Sequence, residues 1–472
     1  MAKIKISSKF LLIVASLFIM ACVTITLVVV LYRPRTSVLK IYNWEDYIDE
    51  DLIKEFQSYY REQTGDKKFK VKYATFTDNE ELLSKLEVQS KDYDIAFPSE
   101  YMVEKLMEKE LLKPIDTSKI ANYSTDNLDS SLTTKVENYA KNDNGLYAIP
   151  YIYGTLGIMY DVAEIDAADL TAFENALSNY GWGVLFGDLG DNEETNTAWQ
   201  EKYRGRITMK KSARDTIGAA MLYSHYDSIY SSTTAGNVIN MIAPYTLEDA
   251  KTALNDQITK MKPTYENDEG KSLFADPDNN DFAFGLYWSC DAGLIMADNP
   301  DIRYYTPTYT NFWIDNFVLP TNGTQSDETT AAAYAFINFM LEKQNAVKNM
   351  TYLGSESAIK DGKTEYLAYI QKLKDDGDID SGEYEQLSNE NYVATIFPDS
   401  SIMSNGAVMK NFDTAEKETA VNDLMLDVMN RAASLDEGNN LLWLWIVLGI
   451  LAACGIAYLT YFLLTRRRRQ SV

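Results

Sequence analysis

Leu39-Lys40-Ile41-Tyr42-Asn43-Trp44-Glu45-Asp46-Tyr47 starts as a buried strand over residues 38–42 and ends in a polar, aromatic run. Leu52, Ile53, Phe56, Tyr59 and Tyr60 then recur at helical spacing, and Gly65 is placed to end that helix. Phe69, Val71, Tyr73 and Thr75 alternate as a second strand. Thr77 or Asp78 can cap a helix carrying Leu82, Leu83 and Leu86. Residues 93–97 form a third strand, broken by Pro98-Ser99 before a helix with Val103, Leu106 and Met107. Three β-then-α units predict a parallel or mixed sheet covered by helices. Such sheets bind ligands beyond the carboxyl ends of their strands. Trp44, Tyr47, Ser99 and Tyr101 all follow strand ends.

Farther along, Ile149-Pro150-Tyr151-Ile152-Tyr153-Gly154 reads as a crossing into a second lobe, with a strand over 156–160. Strands are expected at 206–209 and 282–287, the latter ending at Trp288, and a helix over 213–223. Residues 192–197 are acidic and polar and read as an exposed insertion. Phe312-Trp313-Ile314-Asp315-Asn316-Phe317 reads as the return crossing. A helix over 329–341, a charged loop over 375–380 and a terminal helix over 414–432 complete the pattern. The chain of 472 residues is long enough for two lobes.

Two apolar runs, 10–32 and 441–464, are each long enough to span a bilayer. Lys3, Lys5 and Lys9 precede the first, and Arg466, Arg467, Arg468 and Arg469 follow the second. Positive charge stays on the cytoplasmic side, so both termini are expected inside and the main domain outside the cell membrane. The first run reads as an uncleaved signal-anchor because residues 23–32 stay apolar. The alternative is a cleaved signal, with Ile19-Met20-Ala21-Cys22 as a lipoprotein-like box. Nine of the 44 basic residues and none of the 69 acids lie in these termini, leaving the outer segment near −34. Nucleic acid is not a partner for such a surface, whereas a cation is attracted to it.

Cys290 is the sole cysteine outside the two apolar runs, so no disulfide is expected within the outer segment. His225 is the one histidine, which excludes multi-histidine metal sites and would oblige any Ser-His catalytic pair to use it. Trp44, Tyr47, Tyr101, Trp288 and Trp313 could line a cleft, and Asp215 and Asp315 could close on ammonium groups. A protonated alkylamine lays its methylenes on rings and sets its charges on ring faces or carboxylates. Each residue also has an ordinary reading. A tryptophan at a strand end is commonly core or lobe interface, Asp215 beside Arg214 suits a solvated helix face, and Ser99 after proline suits a helix cap. Paired carboxylates would also serve a glycosidase.

The opening stretch resembles the start of mature bacterial spermidine/putrescine-binding proteins. Phe97-Pro98-Ser99-Glu100-Tyr101, Ala148-Ile149-Pro150-Tyr151-Ile152-Tyr153-Gly154-Thr155 and Phe312-Trp313-Ile314-Asp315 continue the likeness in order, which spans about 38–435. The resemblance implies an α/β, two-lobed periplasmic-binding-protein fold closing around a linear polyamine, with no cofactor and no catalysis. Its partners would be the permease and ATPase subunits of an ABC importer. By the same resemblance Trp44, Tyr47, Ser99 and Tyr101 line the site from the first lobe. Asp215, Trp288, Trp313 and Asp315 answer the ligand's charges and methylenes, and Tyr352 is a further lining ring. Ser212 and Met409 depart from the family's aspartate and glutamine, which leaves the particular polyamine open. The lobes are expected over 38–149 with 314–360 and over 150–313 with 361–437, preceded by 1–37 and followed by the span 441–464 and a basic tail 465–472. Insertions near 182–200 and 360–395 have no assigned role. A sensory or scaffolding ectodomain that binds a small amine without transport is the alternative function.

Overall fold

The computed structural model describes residues 37–436 apart from 89–92, 234–235, 240–243, 268, 277–280, 322, 324–325 and 413; at 225–246 and 269 it describes no side chains. Strand β1 (Val38–Trp44) lies between β2 (Lys70–Phe76) and β3 (Ile95–Ala96) and runs parallel to both. Helix α1 (Glu50–Thr64) begins where the Asp49 carboxylate accepts from the Asp51 N–H. It ends at Gly65, whose φ of 72° suits a residue without a β-carbon. Leu52, Phe56 and Tyr60 form its buried face, while Tyr59 turns outward. Helices α2 (Asn79–Val88) and α3 (Glu100–Glu108) follow β2 and β3. The third strand, expected over 93–97, is only two residues long; it stops short of Pro98, which lacks the N–H a ladder needs.

Strand β4 (Ala148–Asp161) is buried along its whole length. Further strands are β5 (Ile207–Lys210), β6 (Thr264–Glu266), β7 (Phe284–Trp288), β8 (Ile302–Tyr305) and β9 (Phe312–Pro320). The first half of β4 pairs antiparallel with β9, from Ala148 opposite Val318 to Thr155 opposite Phe312. Its second half pairs antiparallel with β7, from Leu156 opposite Trp288 to Tyr160 opposite Phe284. The strand order is β6-β5-β7-β4-β9-β3-β1-β2, with β8 also on β4. Thus β4 and β9 cover the two stretches expected as crossings, at 149–154 and 312–317.

Buried apolar side chains form two cores. One gathers around Leu39, Ile41, Phe56, Phe97 and Phe317, the other around Ile158, Phe173, Ile207, Leu254 and Phe284. Helix α4 (Ala213–Ile229) belongs to the second and helix α5 (Ser289–Asp298) follows β7 directly. Helices α6 (Asp327–Met340), α7 (Lys343–Leu353) and α8 (Gly362–Asp376) contribute to the first. Tyr366, Ile370, Tyr392 and Phe397, from the stretch expected in the second lobe, are buried in the first core, which also takes in Ile295, Met296 and Ile302; Gln386 Nε2 donates to the Met296 carbonyl at 2.7 Å. The stretch expected as an exposed insertion at 192–197 opens a helix, Glu193–Tyr203, capped by Asn192. The charged loop at 375–380 is reduced to a turn between α8 and the next helix, with Gly377 ending one and Asp380 capping the other. The terminal helix α9 (Ala415–Asp436) packs Val421, Leu424 and Val428 into the second core. Among the described residues no helix is long and apolar enough to cross a membrane. Both expected spans, 10–32 and 441–464, lie outside the described residues.

Candidate ligand-binding cleft

The polar end of the opening stretch is held by buried amides. The Trp44 N–H donates to Asn43 Oδ1 at 2.9 Å, and Asn43 Nδ2 donates to the Tyr47 carbonyl at 3.3 Å. Tyr151 Oη donates to the same carbonyl at 2.7 Å and itself accepts from Asn349 Nδ2 at 2.9 Å. Asp46, with φ 51°, makes the turn that carries the chain back from Trp44 to Tyr47. Tyr47 is thereby set so that its hydroxyl donates to Asp315 Oδ2 at 2.7 Å. On the other oxygen, Ser99 Oγ donates to Asp315 Oδ1 at 2.6 Å. The backbones of Ser99 and Asp315 also pair as an isolated antiparallel bridge. Three segments far apart in sequence, the turn after β1, the start of α3 and the crossing β9, therefore meet on one carboxylate.

Burial pushes that carboxyl up to about 6, against the two hydrogen bonds that favour its charged form. The Tyr47 hydroxyl is itself pushed well above its ordinary range by burial and by the Asp315 charge, which keeps it a donor. Ser99 does not cap α3 through its side chain, so the ordinary helix-cap reading fails. Its hydroxyl instead accepts from Asn79 Nδ2 at 3.1 Å, which also donates to Tyr101 Oη at 2.9 Å. Asn79, at the start of α2, was not among the sequence candidates. Its partners lie 20 and 22 residues away, a separation no local pattern reports.

A second carboxylate sits across the crossing. Asp215, on α4, is 6% exposed and accepts from Trp288 Nε1 at 3.3 Å. It is not the solvated helix-face acid of the ordinary reading, and burial pushes its carboxyl above the usual range. Lys210 Nζ lies 4.6 Å from the centre of the Trp288 ring. That lysine is buried beside Asp291 at 3.0 Å and Glu266 at 4.0 Å. Burial opposes its charge, but the two carboxylates hold it above the ordinary lysine range. Tyr101 and Trp288 both pack against the two cores at once, which places them between the lobes.

Trp313 and Asp315, two residues apart on β9, project to one face of that strand. Trp313 is also close to the Trp288 segment: a β-carbon added at Gly154 would collide with both the Trp313 ring and Ser289 Oγ. Only glycine at 154 lets these two walls approach. Trp44 stands 6.5 Å, ring to ring, from Tyr47 and packs on Phe76. Burial pushes the Cys290 thiol up, with the Asp291 and Asp315 charges adding to it. Tyr352 has 46% of its surface exposed, near the Asp46, Asp49 and Glu50 charges. Arg214 is a second residue that the pattern missed. Its guanidinium lies between the rings of Tyr101 and Phe412, at 3.6 and 4.0 Å. Among the described residues no group of three or more histidine, cysteine or carboxylate side chains could hold a metal ion. An open hollow of about 580 Å³ beside α7 and α8 is lined by other residues, including Lys343, Lys348, Glu365 and Tyr369.

The family described as bacterial extracellular solute-binding protein matches residues 51–361. The spermidine/putrescine-binding periplasmic protein of Escherichia coli (strain K12) is 25% identical over 310 residues, covering 65% of this chain and 73% of that protein. The putrescine/cadaverine-binding protein of Pseudomonas aeruginosa is 25% identical over 327 residues, covering 67% and 78%. Among solved structures, the spermidine/putrescine ABC transporter substrate-binding protein PotD from Streptococcus pneumoniae is similar with a TM-score of 0.58 and 27% identity. That similarity covers 84% of this chain and 99% of the other, and supports the two-lobed α/β periplasmic-binding-protein fold.

Proposed function

Because the chain belongs to the bacterial extracellular solute-binding protein family, we propose that it is the substrate-binding component of an ABC importer for polyamines of the putrescine and spermidine class. The family consists of solute-binding proteins, and the role is capture and delivery, not catalysis. The relatives named for spermidine, putrescine and cadaverine support this choice of solute.

The observation that carries the reading is the Asp315 carboxylate, 5% exposed, gripped by Tyr47 and Ser99 where the lobes meet. An ammonium group entering there finds a charged acceptor already oriented. Each charge-assisted hydrogen bond contributes about 1.5–3 kcal/mol. The neighbouring rings of Trp44, Trp288 and Trp313 offer faces to methylenes and ammonium groups, at about 0.5–2 kcal/mol for each cation–π contact. Ligand touching both lobes binds the closed form better and shifts the population towards it.

The runs 10–32 and 441–464 are proposed as two membrane spans with both termini cytoplasmic. Two anchors would keep the domain beside its permease and raise its effective concentration there. The lobes would divide at the crossings, near 149 and 313. Calorimetric titration of the purified full-length chain with putrescine and with spermidine tests the reading. Heat of binding with either supports it, and silence with both removes the polyamine claim.

A further inference from the structure

Among the described residues, two donors in the wall of this cleft find no acceptor. The Trp313 indole N–H is buried without an acceptor, on a residue only 7% exposed, and the buried Trp44 indole N–H also lacks one. A buried N–H left unpaired forfeits its hydration and gains nothing in return, so such donors are rare. Trp288 provides the contrast, since its N–H is taken by Asp215.

Both orphan donors sit on residues linked to the Asp315 carboxylate through one strand or one neighbour. Trp313 lies two residues before it on the same strand face, and its ring crowds Gly154 beside Ser289. Trp44 packs against Tyr47, whose hydroxyl is on Asp315. A fully protonated diamine brings only donors. It can use the carboxylate, but it leaves both indoles unanswered. The missing partner is therefore an acceptor.

The nearby charges argue that this acceptor is neutral. Lys210 is matched by Asp291 and Glu266, and Lys271 also pairs with Asp291 at 3.2 Å. Arg214, whose charge also acts on Asp215, is held between the Tyr101 and Phe412 rings and donates to the Lys410 carbonyl. A carboxylate on the ligand would meet these acids without a cation to itself. An amide carbonyl accepts from indole N–H groups without that repulsion.

Resting on the polyamine reading, we infer that the preferred ligand carries one ammonium and one acyl-amide: an N-acylated diamine. Its ammonium sits on Asp315 and its carbonyl oxygen accepts from Trp313, with Trp44 as the second donor. Trp313 and Trp44 are then the residues that determine specificity between acylated and free diamines.

Calorimetric titration of the full-length chain with putrescine, N-acetylputrescine and 4-aminobutyrate tests this, repeated on Trp313→Phe and Trp44→Phe. Phenylalanine keeps an aromatic face and removes the N–H. The expected result is N-acetylputrescine binding about tenfold more tightly than putrescine, with that ratio collapsing towards one in Trp313→Phe. Putrescine binding as tightly as its acetylated form in the unaltered chain overturns the inference without touching the polyamine reading. So does a preference that survives both substitutions, or tighter binding of 4-aminobutyrate. Silence with all three compounds and with spermidine overturns both.

Discussion

Asp315 combines two opposed demands, burial from water and readiness to hold a cation. Tyr47 and Ser99 stabilise its charged form, yet burial still leaves the carboxyl at about 6. An ammonium that binds the charged form must bind less well as pH falls through 6, by about tenfold at pH 5 relative to neutral pH. Asp315→Asn should weaken putrescine by roughly ten- to a hundredfold at pH 7.5, from a charge-assisted bond of about 1.5–3 kcal/mol, and should flatten that pH profile. Titrations from pH 5 to 8 on both proteins check this; an unaltered slope in the variant would assign the titration to another group. Stability runs the other way. The folded value lies above the ordinary 3.8, so this carboxyl's contribution is full below about 4 and is lost as pH rises through 6. Trp44, Tyr47, Ser99, Trp313 and Asp315 could be named from sequence because each follows a strand end or lies in a crossing. Asn79 and Asn349 could not be, since an amide's role here depends on partners 20 to 300 residues away, as between Asp49 and Asn349. Tyr352, named by likeness alone, is 46% exposed.

Helix α3 is the element through which the first lobe touches both crossing and second lobe. Its first residue, Glu100, is 1% exposed and accepts from the Ile314 N–H at 3.0 Å and the Met409 N–H at 3.1 Å. Burial pushes this carboxyl up to about 8. The native chain therefore holds the proton more tightly than the unfolded one. That contribution is full below about 4.5 and is lost as pH rises through 8. Glu100→Gln removes one acceptor, turns an NH₂ towards a backbone donor, and should cost about 1–3 kcal/mol. Urea unfolding from pH 7 to 9 should show stability falling in the unaltered chain, and this component absent in the variant. The β1-α1-β2-α2 order was legible because apolar residues recur at strand and helix periods and Gly65 marks a stop. The region 360–395 was not, because its Lys and Asp residues mask a helical row of Tyr366 and Ile370 that only tertiary packing reveals. Likewise Asn192 acts as a helix cap in what composition alone reads as a polar insertion.

At the scale of the whole molecule, two lobes were readable from the crossing motifs, whereas the contacts that hold them together were not. Glu104 Oε2 accepts from the Asn411 N–H at 2.8 Å across 307 positions, and Glu108 Oε2 accepts from Asn411 Nδ2 at 2.9 Å. Lys105 pairs with Glu418 at 2.6 Å. Beside them Arg214 lies between Tyr101 of the first lobe and Phe412 of the second core, and Arg214 Nη1 donates to the Lys410 carbonyl at 3.2 Å. These contacts belong to the protein itself, so they favour closure before any ligand enters. Removing one should lower the fraction of chains competent to bind and weaken apparent affinity by the same factor. Of the two cation–π contacts that Arg214→Ala deletes, only the one on Tyr101 crosses between the lobes; at about 0.5–2 kcal/mol it gives an expected weakening of about two- to thirtyfold. If that loss comes from opening, solution scattering should give the ligand-free variant a larger radius of gyration than the parent, and saturating putrescine should bring the two together. An affinity loss with no change in radius would instead place the effect on the Tyr101 wall alone, because an element that only lines the ligand has no reason to alter the spacing of the lobes when the ligand is absent.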